Sequence, residues 1–348
     1  MNSFLVRKGL LMKNSSIQVH CKGAAAKVLG HSANSKIGIT DIITQRGAPW
    51  GLARVSHRQR LDYGSFSKYI FDSTTGDGTK VYVLDSGIYS DHVDFEGRAS
   101  WGTNIIDDTE ASDLSGHGTH IAGTIAGRMY GVAKKSNVIA VKVLEDKLNA
   151  TTSSFVKGLN WAVADHQQKA VATTAGGAST TANASVIYLG FDVAGISEAA
   201  VDELKVAIDA AISTGIQVVV PAGDDSQDTG ICKTPLAQSG AIIVGASSLG
   251  DSRADFSNYG SCITLFAPGM NTLSLSSSSP SALMTLSGTA MAAAHVAGLS
   301  AYLISLQSGG MAPADLKSKL MIIASQGILN NVPDGTANLL AFNGNEGV

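Results

Sequence analysis

The chain has 348 residues, of which 15% are charged and 38 are glycine, with a net charge of −3. That length holds two average domains or one large α/β domain, and a charged fraction well under the usual ~25% with no basic block excludes nucleic acid as the main partner. The apolar run from Thr289 to Leu306 approaches membrane-span length, but it carries His295, Gly298 and Ser300 inside a chain of alternating elements, so it reads as a buried central helix and not a bilayer crossing.

Residues 1–14 are interrupted by Arg7, Lys8 and Lys13 and do not read as a secretory signal, which leaves the compartment open. Residues 1–46 are polar, glycine-dotted and without sustained periodicity, and are taken as an extension outside the core, with residues 47–348 as the domain. Lys80 to Asp85 is a short β-rich run that stops at an acid and a Ser86-Gly87 turn. Gly116 to Gly127 places small residues at helical pitch, suited to close packing on a sheet, and Asn137 to Leu144 reads as a buried strand.

Thr152 to His166 has a helical apolar side, and Ser185 to Gly190 is again a strand. Ser197 to Thr214 is the clearest amphipathic helix, with Val201, Leu204, Ile208, Ala211 and Ile212 on one face and Ser197 as its cap. Strands follow at Ile216–Pro221, Ala241–Gly245 and Ile263–Phe266, then the helix from Thr289 and a last one near Pro313. Apolar strands alternating with helices predict a parallel sheet covered on both faces, with reactive groups beyond the carboxyl ends of the strands. Asp85 lies at such an end, and the absence of a linker or repeat between residues 48 and 343 predicts one domain.

Asp85, His117 and position 290 occur in the order acid, base, nucleophile. A hydroxyl near pH 7 reacts only when an imidazole takes its proton, and the imidazole needs a carboxylate to fix its tautomer. Taken singly, Asp85 could cap a turn, His117 could be a satisfied polar residue and Ala290 a packing residue. His117 and His120 lie three apart with no patterned acid nearby, which argues against a metal site, and no Cys-x-x-Cys spacing suggests zinc. Three cysteines, Cys21, Cys232 and Cys262, cannot all pair internally; Cys232 and Cys262 flank predicted strands, so the sequence is open to one disulfide or to three free thiols.

Together the motifs are far more specific. Val81-Tyr-Val-Leu-Asp-Ser-Gly87, Gly116-His-Gly-Thr-His120 and Ser287-Gly-Thr-Ala-Met-Ala292 resemble the aspartate, histidine and serine motifs of the subtilisin family of serine peptidases. Ala48-Pro-Trp-Gly-Leu-Ala-Arg54, Tyr130-Gly-Val-Ala-Lys134, Phe256-Ser-Asn-Tyr-Gly260 and Phe266-Ala-Pro-Gly269 resemble its fungal proteinase K-like branch. The resemblance spans about residues 47–343 and implies a subtilisin-like three-layer α/β/α sandwich with a mainly parallel central sheet. It implies an extended peptide or protein as partner, no nucleic acid or membrane, a monomer, and a disulfide between Cys232 and Cys262.

The departures are as informative. Ala290 stands where the family has its serine, and Asp224, in Pro221-Ala-Gly-Asp-Asp225, stands where active relatives supply an asparagine amide to the oxyanion hole. In subtilisin, the worked case for both effects, losing the serine costs about 10⁶ in turnover and losing the amide donor about 10²–10³. Asp224 alone is compatible with activity, since a branch of the proprotein convertases carries aspartate there. Ser287 is the nearest spare hydroxyl, but it precedes the glycine turn and is expected to point elsewhere.

The resemblance implies substrate contacts at Tyr188, Leu189, Gly190, Leu148, Asn149, Ala222 and Gly223. Tyr188 and Phe191 replace small family residues and would either narrow the primary pocket or fill core space, while Leu148-Asn-Ala150 replaces a glycine-containing cleft wall. Calcium is typical of the family, but Thr264 stands at a usual aspartate ligand. Residues 1–46 are short for the family's folding-assisting propeptide and read as a truncated remnant. Asn149-Ala-Thr151 and Asn183-Ala-Ser185 are glycosylation acceptor triplets if the chain is exported. The sequence therefore predicts a peptidase scaffold that has lost hydrolysis and retains peptide binding, with a serine endopeptidase altered at its nucleophile as the alternative.

Overall fold

The computed structural model describes residues 41–106, 111–175, 184–190, 197–228 and 231–345, the side chains of 169–175 excepted. In chain order the elements are β1 (Ile42–Arg46), α1 (Trp50–Val55), β2 (Lys68–Asp72), β3 (Lys80–Asp85), β4 (Ala99–Asn104), α2 (His117–Ala126) and β5 (Asn137–Lys142). They continue with α3 (Thr152–Ala175), β6 (Ser185–Leu189), α4 (Glu198–Ser213), β7 (Gln217–Pro221), β8 (Ile242–Ser247) and β9 (Leu265–Pro268). The chain closes with β10 (Thr272–Leu275), β11 (Leu283–Leu286), α5 (Thr289–Ser305), α6 (Pro313–Ile323), β12 (Ser325–Gln326) and β13 (Leu339–Leu340).

Nine strands form the main sheet in the order β12-β13-β9-β8-β7-β6-β3-β5-β4, and only the β12–β13 pair is antiparallel. The inner strands β3, β5, β6, β7 and β8 are buried at nearly every residue because both faces are covered, while β4 at the edge is only partly so. Along β3, Val81 and Val83 enter the core shared with α2 and α5, while Tyr82 and Leu84 enter the core shared with α3 and α4. This is the expected α/β/α sandwich. Chain direction across the sheet reverses between β3 and β6, and at such a switch point the loops leaving the strand ends diverge and open a crevice. Asp85 lies at that point.

The helix expected from Thr289 is buried along nearly its whole length, with Ala290 at its head only partly covered. Gly298 admits close packing on α2, since a β-carbon there would come within 3.0 Å of the Ile125 carbonyl. No helix among the described residues is long and apolar enough to cross a membrane. Ser197 occupies the N-cap position of α4 as expected but makes no side-chain capping bond, so Glu198 in the first turn is the residue that complements the helix dipole there. Ile42–Arg46, at the end of the stretch read as an extension, pairs with β2 and is exposed at four of its five residues.

Cys232 and Cys262 are joined by a disulfide with Cα atoms 5.1 Å apart. Their two loops flank β7, β8 and β9 on the α4 side of the sheet, and of the two states left open by the sequence the bonded one is present. Cys21 lies outside the described residues, as does Phe191.

Candidate active site

The site is assembled at the carboxyl end of β3. Asp85 is fully buried, and its Oδ1 accepts from the Ser86 N–H (2.7 Å) and His117 Nδ1 (2.8 Å). A carboxylate can only accept at this distance, so Nδ1 carries the proton and Nε2 is left as the basic nitrogen of the neutral ring. Asp85 Oδ2 is buried and has no hydrogen-bond partner among the described residues.

Two glycines make this close approach possible. A β-carbon on Gly118 would collide with the Gly87 carbonyl and lie 3.2 Å from Asp85 Oδ1, and one on Gly190 would collide with Asp85 Oδ2. The side chain of His117 is 19% exposed, which leaves one edge accessible. Burial disfavours its charged form, but the Asp85 carboxylate, through its charge and hydrogen bond, outweighs this with smaller help from Asp113 and Asp224, so the His117 pKa is raised above its ordinary value.

A second buried carboxylate, which the sequence reading missed, holds this geometry. Asp113 Oδ1 accepts from the hydroxyls of Ser86 (2.8 Å) and Ser115 (3.0 Å) and from the Gly116 N–H (2.9 Å). Its Oδ2 accepts from the Thr119 N–H (2.8 Å) and hydroxyl (2.6 Å). One anion thus caps the start of α2, where backbone N–H groups are unpaired, and ties it to the turn after β3. Lys142, also fully buried, donates to the Ser86 carbonyl (2.7 Å) and to Asp146 (2.9 Å), fixing the same turn from the β5 side. An acid three residues before the first glycine of the Gly-His-Gly motif was the available signal for Asp113. Nothing local marked Lys142.

The other half of the site is the start of α5. Ala290 is its second residue and presents a methyl group. Asp224 is exposed, and its Oδ1 accepts the Thr289 N–H at 2.8 Å, so a carboxylate occupies a donor at this helix N-terminus. Gly288 leaves the room for it, since a β-carbon there would lie 2.9 Å from Asp224 Oδ2. The Asp224 loop is held by Asn258, another residue missed from sequence, which donates to the Ala222 carbonyl (3.0 Å) and accepts from the N–H groups of Asp225 (3.1 Å) and Gln227 (2.9 Å). Because Asp224 both bonds Thr289 and favours protonated His117, it links the two halves. Ser287 faces away: its hydroxyl accepts the Asn271 N–H at 2.8 Å.

The residues expected to touch substrate divide into two groups. Leu148 and Asn149 are exposed and Gly190 is partly so. Tyr188 and Leu189 are fully buried on opposite faces of the sheet, as strand alternation requires. The Tyr188 hydroxyl has no partner among the described residues, and burial, with the nearby charges of Asp85 and Asp224, raises its pKa well above the ordinary value. Ala222 and Gly223 are buried, and their N–H groups donate to Val244 O (2.9 Å) and Thr289 Oγ1 (3.1 Å).

Thr264, at the position where the resemblance implies a calcium-ligand aspartate, is buried with its hydroxyl accepting the Ile243 N–H at 3.1 Å, so no carboxylate is supplied there. His120 lies apart from His117's acid, its Nε2 bonded to the Thr272 carbonyl at 2.9 Å.

Residues 76–341 match the model of the subtilase family, Peptidase S8. The chain is 46% identical over 323 residues to cerevisin of Saccharomyces cerevisiae, a match covering 89% of this chain and 49% of that protein. It is 46% identical over 313 residues to the subtilisin-like serine protease Pen c 2 of Penicillium citrinum, covering 86% of this chain and 66% of that one. The chain therefore spans from about half to about two thirds of the length of these curated relatives. A solved structure of a cold adapted subtilisin-like serine proteinase superposes with a TM-score of 0.71 at 33% identity, covering 85% of this chain and 98% of that one.

Proposed function

The chain belongs to the subtilase family, and on that premise we propose that it is a pseudopeptidase: a subtilisin-like serine protease scaffold that no longer hydrolyses peptide bonds but still binds an extended peptide. The observation that carries this is Ala290. Asp85 and His117 are bonded at 2.8 Å and His117 Nε2 is ready to accept a proton, yet the residue at the head of α5 has no hydroxyl to supply one. Acyl transfer then lacks its nucleophile.

Asp224 supports the same reading. In an acyl transfer the carbonyl oxygen becomes negative and needs donors aimed at it. Here the Thr289 N–H at the start of α5 is engaged by a carboxylate, and that carboxylate repels a developing anion. Asp85 and His117 are assigned the inherited acid and base positions, Ala290 the vacated nucleophile position and Asp224 the altered oxyanion position. Leu148, Gly190 and the backbone of Asn149 are assigned the exposed contacts to an extended chain. Tyr188, Leu189, Ala222 and Gly223 are assigned roles beneath that surface, shaping it from within.

The intact Asp85–His117 bond favours a second reading, a serine endopeptidase altered at one position. Ala290→Ser separates the two: cleavage of a casein-type substrate restored by this change alone favours the altered enzyme. Silence cured only by adding Asp224→Asn favours a scaffold adapted away from hydrolysis. Equilibrium binding of extended peptides to the unaltered chain tests the retained function, and no binding at any accessible concentration refutes it.

A further inference from the structure

Asn149 closes an exposed turn in the segment that leaves β5 next to the buried acid. The Val143 and Leu144 N–H groups both donate to the Asp85 carbonyl (2.9 and 3.2 Å), so the chain leaves β5 next to the end of β3. It then folds back: Leu148 N–H donates to Glu145 O and Glu145 N–H to Asn149 O, each at 2.9 Å, with Leu148 at φ 63°. Residues 147–150 are all exposed, and the Asn149 carboxamide has no hydrogen-bond partner among the described residues. Thr151 completes an Asn-x-Thr triplet with alanine at its centre, the form that glycosyl transfer accepts.

A second observation places this triplet in the right chemistry. Cys232 and Cys262 are disulfide-bonded, and structural disulfides form and persist in the oxidising compartments where N-linked glycans are added. Two other acceptor triplets exist: Asn14-Ser15-Ser16 lies outside the described residues, and in Asn183-Ala-Ser185 the asparagine also lies outside them while Ser185 is a buried residue of β6 bonded to His166 Nδ1 at 2.9 Å.

We infer that Asn149 is an N-glycosylation site whose glycan stands at the rim of the Asp85–His117 site. The donor is a lipid-diphosphate-linked oligosaccharide. The Asn149 amide nitrogen bonds to its anomeric carbon as the bond from that carbon to the diphosphate breaks; the nitrogen gives up one proton and the lipid diphosphate departs. A bulky, hydrated glycan on this turn restricts the approach of large protein ligands while leaving short peptides free to enter. This shielding rests on the peptide-binding reading above, whereas the modification itself does not.

The test is secretion of the full chain behind a leader from a yeast host, followed by peptide mapping with and without peptide N-glycosidase. The expected result is a glycosylated Asn149 peptide that the glycosidase converts to aspartate at 149, lost in Asn149→Gln and kept in Thr151→Ser. Unmodified Asn149 in the secreted, disulfide-bonded chain overturns the assignment, and so does a retained chain unmodified at 149. For the shielding, an unfolded casein-type protein is expected to bind more tightly after glycan removal while a short casein-derived peptide shows no change. Equal affinity of the protein ligand for both forms overturns the shielding. No binding by either form defeats the peptide-binding reading and leaves the mapped glycan standing.

Discussion

Replacing Ala290 by serine returns a hydroxyl to the second residue of α5, and the size of the response is set by Asp224. The hydroxyl regains a base, since His117 Nε2 is already oriented by the 2.8 Å bond from Nδ1 to Asp85. What it does not regain is an oxyanion donor. Lack of that donor costs about 10²–10³ in rate, by the measure established for subtilisin. The Asp224 charge adds repulsion: two like charges 4 Å apart interact by about 4 kcal/mol at an effective dielectric of 20. Asp224 is exposed, and solvent screening reduces this to about 1–2 kcal/mol, roughly a further tenfold.

Ala290→Ser is therefore expected to run about 10³–10⁴ below the Ala290→Ser/Asp224→Asn double variant. Asparagine keeps an oxygen for the Thr289 N–H, so the fold loses only the charge at the start of α5, about 0.3–1 kcal/mol. Initial rates on casein measure the difference, and labelling of position 290 by an organofluorophosphate reports the nucleophile independently. Asp224 also raises the His117 pKa, so its removal shifts the acid limb of the pH–rate profile to lower pH. Equal rates for the single and double variants refute the role given to Asp224. Hydrolysis by the unaltered chain, or a covalent adduct on it beside His117, refutes the proposal as a whole.

His120 and His295 are buried and their pKa values are lowered to about 4, chiefly by desolvation. Between about pH 6.5 and 4 the unfolded chain binds protons that the native chain refuses, so stability falls with pH across that window, by on the order of 3 kcal/mol per histidine. His117, with its raised pKa, contributes stability that is present at low pH and lost as pH rises through its native value, a partial offset. Urea midpoints against pH measure the sum, and His295→Gln is expected to flatten the acid fall. Replacing both Cys232 and Cys262 by alanine opens a loop of sequence separation 30 and is expected to cost about 2–4 kcal/mol, read as a lower denaturation midpoint with a steeper slope as the unfolded chain expands. Gly118→Ala drives a methyl group into the Gly87 carbonyl; a loss of about 1–3 kcal/mol is expected, with the His117 resonance moving toward an ordinary titration as its bond to Asp85 is displaced.

The elements that cover the main sheet were legible because their residues repeat with one period over enough positions. β3, β6 and β7 are continuous apolar runs ended by turn residues, and α4 shows a clean apolar stripe. The strands that escaped notice are those where burial is partial. β4, Ala99-Ser-Trp-Gly-Thr-Asn104, is an edge strand without an apolar run, and the β10–β11 hairpin has only four residues a side, with β11 nowhere fully buried. Around the site the same limit holds: Asp85 and His117 sit in dense local motifs, whereas Lys142 acts on a carbonyl 56 positions away with no pattern of its own, and Asn258, though inside the Phe256-Ser-Asn-Tyr-Gly260 stretch, carries no local sign that its carboxamide holds backbone groups 31 to 36 positions away.

From residue order alone came the α/β alternation, the family resemblance and the chemical types present at positions 85, 117, 224 and 290, since these depend on periodicity and short-range motifs. The tertiary structure alone decided which groups meet. It put the Asp224 carboxylate on the Thr289 N–H, sank the Tyr188 ring into the core, gathered five donors onto Asp113 and joined Cys232 to Cys262. Each of those contacts is fixed by packing both faces of one sheet, and packing depends on the whole chain at once rather than on any local stretch of it.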